Sequence, residues 1–130
     1  MHRSPLYPYS GSKDETGLGE AIGMTVNLPI EFGTSPEIQR QKFRDAMFRL
    51  AENISPELVL VSAGFDSHRL DPIGSLGLSS DDFSLITEDI LAVANQYTDG
   101  RVVSVLEGGY NPDALAESVS NHLETLMAEG

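Results

Sequence analysis

The sequence predicts an α/β protein: a mostly parallel sheet with helices packed on both faces. Three observations carry that prediction. From residue 24 onward, apolar runs alternate with stretches of helical periodicity in the order strand, helix, strand, helix, strand, helix. The two strongest runs, ELVLVSAGF at 57–65 and RVVSVLEGGY at 101–110, are continuously apolar, as in parallel strands covered on both sides. Both lead into polar, glycine-bearing loops, GFDSHRLDP and EGGYNPD, where open sheets of this class bind ligands.

Residues 1–24 read as an irregular loop segment, with two prolines and four glycines among small polar residues. A loop of that length in a compact domain points to a functional loop, or to a segment that packs on something else. Residues 25–130 read as one βαβαβα unit. MTVNLPI (24–30) shows the alternation of a strand at Val26, Leu28 and Ile30, and Pro29 marks an edge or a strand end. Ser35-Pro36-Glu37 starts the first helix with a capping hydroxyl, a proline in the first turn and an acid at the positive dipole end. Phe43, Ala46, Met47 and Leu50 share its apolar face.

Ser79 or Ser80, followed by Asp81 and Asp82, caps the second helix. Its stripe is Phe83, Ile86, Ile90 and Val93, and Gly100 fits its stop. Asn111-Pro112-Asp113 caps the third, whose stripe is Leu115, Val119, Leu123 and Leu126.

With 130 residues the chain suits a single domain. Its 20 Asp and Glu against 8 Lys and Arg, a net charge of −12, argue against a nucleic-acid surface, which needs clustered cations. Cysteine is absent, which excludes disulfides and thiolate metal sites and is compatible with a reducing cytoplasm, the localisation expected. No apolar run approaches the roughly 20 residues of a membrane span, and no signal-peptide pattern opens the chain, so no membrane partner is expected.

Two residues stand out chemically. Asp66, at the end of the first long strand, can ligate a metal, position another group or cap its own turn. His68 and Asp71 lie close enough in sequence to add ligands, although His68 and Arg69 also read as solvated polar residues. Tyr110 follows Gly108-Gly109, a pair that lets backbone turn tightly or approach a ligand. Its hydroxyl is either a donor toward developing negative charge or the polar end of a half-buried ring. Tyr7 and Tyr9 flank Pro8 as a channel wall or as ordinary loop packing, while His2 and His122 match no motif. Phosphate-loop and nucleophile-elbow patterns are absent.

Taken in order, HRSPLYPYSG, ETGLGEAIGMTVNLPI, VLVSAGFDSHRLDPIGSLGLS and VVSVLEGGYNPDAL resemble the second half of the histone deacetylase superfamily. The likeness is strongest to its bacterial deacetylase and acetylpolyamine amidohydrolase branch. It implies a partial arginase-like fold and zinc-dependent hydrolysis of acetyl-amides of lysine or polyamines. It implies that Asp66 is one of three zinc ligands and that Tyr110 polarises the scissile carbonyl. Tyr7 and Ile73 match tunnel-lining positions, and Gly108 and Gly109 match the pocket floor. Zinc in such sites acts as a Lewis acid and lowers the pKa of bound water.

The resemblance also implies a histidine pair and a further Asp-x-His upstream of the segment matching His2. The chain contains neither, and catalytic zinc generally takes three protein ligands. The expectation is therefore a C-terminal fragment, inactive alone, completed by an N-terminal deacetylase half or by self-association through an exposed sheet edge. The alternative is a non-catalytic α/β interaction module, or relic, that pairs with another chain.

Overall fold

A computed structural model describes residues 1–3 and 9–128 of the chain. Its elements run β1 (His2–Arg3), a 3-10 turn (Gly19–Ala21), β2 (Pro29–Ile30), α1 (Pro36–Ile54), β3 (Val59–Ala63), α2 (Ser80–Tyr97), β4 (Val102–Leu106) and α3 (Pro112–Ala128). The α/β class with parallel pairing is as expected: β3 pairs β4 in parallel, Val59 opposite Val102 and Ala63 opposite Leu106.

The three helices start where their sequence signals stand. Pro36 opens α1, and Ser35 Oγ accepts the Ile38 N–H at 3.4 Å. At α2 the cap is Ser79, whose N–H and hydroxyl both donate to Asp82 Oδ2 at 2.7 Å. Gly100, at φ +75°, donates its N–H to Ala94 O and ends that helix. Asn111 Oδ1 accepts the Ala114 N–H at 3.1 Å and caps α3.

The first strand is where the expectation fails. MTVNLPI is extended-strand structure only at Pro29–Ile30, and it pairs β1 rather than β3. Met24 and Val26 stay exposed, so the alternation there serves no core face. Pro29 lacks the N–H that a longer ladder needs. β1 lies inside the segment expected to be wholly irregular; two residues are too few to leave a periodic signal.

The core forms where Phe65, Leu78 and Phe83 meet, joined by Ala63, Ile86, Leu115 and Val119. The rings of Phe65 and Phe83 lie 5.0 Å apart and tilted. Burying the three core side chains contributes about 1.5–3 kcal/mol each. Of the α3 stripe, Leu123 is left 49% exposed, so the core contact runs mainly through the first half of that helix.

α1 is tied to α2 through Arg40. Its Nε donates to Asp89 Oδ2 at 2.7 Å and its Nη2 to Asp89 Oδ1 at 3.2 Å, with Arg44 at 3.5 Å. Asp89 is buried, and the paired guanidinium compensates its desolvation. That carboxylate holds the Arg40 guanidinium above its ordinary pKa.

The continuous apolar run of β3 anticipates cover on both faces. Within the described residues only one face is covered: Ala63 packs into the core, and Ser104 reaches α3 through His122. On the other face Leu60, Val103 and Val105 are 69%, 46% and 50% exposed. Among the described residues, none of α1, α2 and α3 lies over that side.

Candidate active site

The β3–β4 ladder continues past both strands into the two loops. Glu107 N–H donates to Ala63 O at 3.0 Å, and Phe65 N–H donates to Gly108 O at 2.8 Å. The two carboxyl ends are thereby zipped side by side, and Asp66 and Tyr110 emerge from adjacent strands, as the sequence suggests.

The Asp66 loop is a compact turn system rather than an open excursion. Ser75 N–H donates to Asp66 O at 2.9 Å, Leu76 N–H to Ser67 O at 3.0 Å and Arg69 N–H to Leu78 O at 2.7 Å. Gly74 packs on the Asp66 carbonyl oxygen so closely that any Cβ there would collide with it. The Asp66 carboxylate lies between Gly64 and Gly108: a Cβ on Gly64 would stand 3.4 Å from Oδ1, and one on Gly108 would stand 3.4 Å from Cγ. Burial, then the charge of Asp71, raises the Asp66 carboxyl above its ordinary pKa. A group raised in this way gains from a cation placed beside it.

Asp71 is 5% exposed and is not available as a ligand. Its Oδ1 accepts the N–H groups of Ile73 at 2.8 Å and Gly74 at 2.9 Å, and its Oδ2 accepts the Tyr110 N–H at 2.8 Å. Burial pushes its carboxyl up, but the N–H groups of Gly74, Tyr110 and Ile73, with His68 nearby, outweigh that and hold it below its ordinary value. A second bridge joins the same loops: Asn111 Nδ2 donates to Leu70 O at 3.1 Å.

Gly109 sits at φ +139°, a conformation that favours glycine, and a Cβ there would also press on Leu115 Cδ1 at 2.7 Å. Tyr110 and Ile73 are 55% and 57% exposed, at the surface of the joined loops. Tyr7 lies outside the described residues.

Two histidines depart from the sequence reading. His68, read as solvated, is 3% exposed: its Nδ1 accepts the Leu70 N–H at 3.1 Å, and Nε2 meets Ser80 Oγ at 3.3 Å. With both ring nitrogens occupied, it is a brace between loop and α2. His122, which matches no motif, is buried between α2 and β4. Thr87 gives its hydroxyl proton to Phe83 O at 2.6 Å, so it accepts from His122 Nδ1 at 2.7 Å; Ser104 Oγ then donates to Nε2 at 2.9 Å. Burial lowers the His122 pKa and keeps the ring neutral. Its only sequence signal is a histidine among apolar positions of a helix that crosses a polar strand residue. His122 and Asp66 both line a cavity of about 210 Å³, walled also by Val61, Phe65, Phe83 and Ile90.

Asp66 and Tyr110 thus stand at adjacent carboxyl ends of a parallel pair, over glycine-shaped backbone, the place where open α/β sheets bind ligands. Residues 1–126 match the histone deacetylase domain family, and the chain belongs to that family. It is 34% identical over 128 residues to the chloroplastic histone deacetylase 14 of Arabidopsis thaliana, covering 98% of this chain and 30% of that protein. It is 40% identical over 119 residues to a human polyamine deacetylase, covering 89% of this chain and 17% of that protein. The crystal structure of an acetylpolyamine aminohydrolase from Burkholderia pseudomallei superposes with a TM-score of 0.82 at 29% identity, over 95% of this chain and 35% of that one. The chain thus spans about a third or less of the length of these relatives.

A zinc ion does not fit the donors that the described residues offer. Among the described residues there is no group of three His, Cys, Asp or Glu able to hold a metal. Asp71 and His68, the two neighbours of Asp66 in sequence that could have joined it, are spent on hydrogen bonds.

Proposed function

We propose that this chain forms the part of a deacetylase-type amidohydrolase site that carries Asp66 and Tyr110. The observation that carries the reading is the zipping of the two strand ends, which brings the loops of these residues together within a family-matching sequence. The substrates are acetyl-amides of lysine or of polyamines. Asp66 contributes one carboxylate to a zinc whose other donors come from outside these 130 residues. Tyr110 offers its hydroxyl to the carbonyl oxygen as negative charge develops there. Ile73 and Tyr7 flank the acyl stem, and Gly108 and Gly109 keep the floor free of side chains.

The test is hydrolysis of an acetyl-lysine amide by this chain, alone and combined with a deacetylase segment that supplies the missing donors. The chain alone is expected to be inert, and the combination is expected to turn over with a zinc content that Asp66→Ala removes. Turnover and zinc content unaffected by Asp66→Ala would overturn the reading. The uncovered Leu60–Val103–Val105 face favours a second reading, a non-catalytic module that pairs with a second copy of the chain. A monomer at high concentration by sedimentation counts against that reading.

A further inference from the structure

We propose that Asp71 is a positioning residue, whose buried carboxylate locks the Tyr110 turn against the Asp66 loop. What Tyr110 does there rests on the function proposed above; the lock itself rests on geometry alone. Asp71 spends both oxygens on main-chain N–H groups, two from its own turn (Ile73 and Gly74) and one from Tyr110, 39 residues away. A deprotonated carboxylate is the side chain that offers acceptor oxygens in both directions and no donor. Asparagine has the same shape, but it must present its NH₂ either to the Ile73–Gly74 pair or to Tyr110.

The Tyr110 ring is 55% exposed, so its own packing does not fix its place. The two residues before it are glycines, which leave the approach conformationally free. The Asp71 contact to its N–H is therefore the handle by which the rest of the molecule holds this residue, with Asn111 anchoring the next position to Leu70 O. The same carboxylate holds Gly74, which packs on the Asp66 carbonyl. Beside the strand-end bonds and the Asn111 bridge, one buried side chain thus ties the Tyr110 main chain to the turn that packs on Asp66.

The experiment uses the 130-residue chain and Asp71→Asn. Amide exchange of the Tyr110 N–H is expected to quicken by about tenfold or more, while α2 and α3 amides keep their protection. With 3-fluorotyrosine incorporated, the ¹⁹F line of Tyr110, assigned through Tyr110→Phe, is expected to shift and broaden in the variant. Unchanged exchange together with an unchanged ¹⁹F line overturns the proposal. If Asp71→Asn unfolds the whole chain, the parent decides: a through-hydrogen-bond coupling from Tyr110 ¹⁵N to Asp71 ¹³Cγ supports the lock, and its absence overturns it. In the combined preparation that hydrolyses acetyl-lysine amide, Asp71→Asn is expected to lower kcat by about 10- to 100-fold with KM within about twofold, as for a misplaced catalytic group. An unchanged kcat with a loosened Tyr110 removes the positioning role and leaves the reading of the site intact. A parent without turnover counts against the proposed function alone, and the two magnetic-resonance readouts then decide the lock.

Discussion

Gly74 lies directly against the main-chain carbonyl of Asp66, while its own N–H is held by Asp71 at 2.9 Å. A Cβ at position 74 would also stand 2.8 Å from the Asp66 carbonyl carbon. Gly74→Ala is therefore expected to cost about 1–3 kcal/mol, as overpacking of a rigid site does. Urea denaturation reads this directly, and a midpoint equal to the parent's would show that the loop has room to spare.

The Arg40–Asp89 pair joins α1 to α2 with a nearly buried carboxylate and a guanidinium that keeps one side in water. Breaking a fully buried pair costs about 3–5 kcal/mol, and the partial exposure of Arg40 together with the nearby Arg44 brings the expectation for Arg40→Ala down to about 2 kcal/mol. A double-mutant cycle with Asp89→Asn isolates the coupling. A coupling near zero would mean that this pair adds nothing to the docking of α1, which Gln39 also ties to Leu76 O at 2.7 Å.

His122 makes stability depend on pH in a predictable direction. Burial lowers its pKa in the folded chain, so the unfolded chain takes up the proton first as pH falls below the ordinary histidine value of about 6.5. The contribution is fully present above that value and declines as pH falls toward the lower folded pKa. Asp71, whose folded pKa is also depressed, adds a second loss as pH falls through the lower carboxylate range. Parallel denaturation curves between pH 7.5 and 5 should show the parent weakening more steeply than His122→Gln, which keeps only the slope of other groups such as the partly buried Met1 amine. Equal slopes in the two proteins would remove His122 as the cause.

Tyr110→Phe separates folding from chemistry. The hydroxyl belongs to a half-exposed ring and no core contact depends on it, so the variant is expected to match the parent in thermal melting. In the combined preparation it is expected to retain zinc and to lose turnover by roughly 10²-fold or more, the scale of one oxyanion donor. Hydrolysis at the parent rate would assign the electrophilic contact elsewhere.

The three helices, the two long strands and the loops carrying Asp66 and Tyr110 are legible in the sequence because each is written locally. Caps at Ser35, Ser79 and Asn111 and stripes such as Phe83–Ile86–Ile90 need no distant partner to be read. What escapes is non-local. Asp71 looks like a candidate ligand until its carboxylate is found on an N–H 39 residues away. His68 looks solvated because polar residues in loops usually are, yet Ser80 and the Leu70 N–H take up its ring. MTVNLPI has the alternation of a strand and lacks a neighbour to pair most of it, and two-residue β1 has no pattern at all. Composition cannot reveal that one face of β3–β4 is uncovered, because the same apolar residues serve a covered strand equally well.

That uncovered face has a cellular consequence. A sheet surface bearing Leu60, Val103 and Val105 is the kind of patch that chaperones hold and proteases clear. A copy left with that surface in water would be short-lived, and its steady-state abundance would follow the rate of its clearance as much as the level of its message.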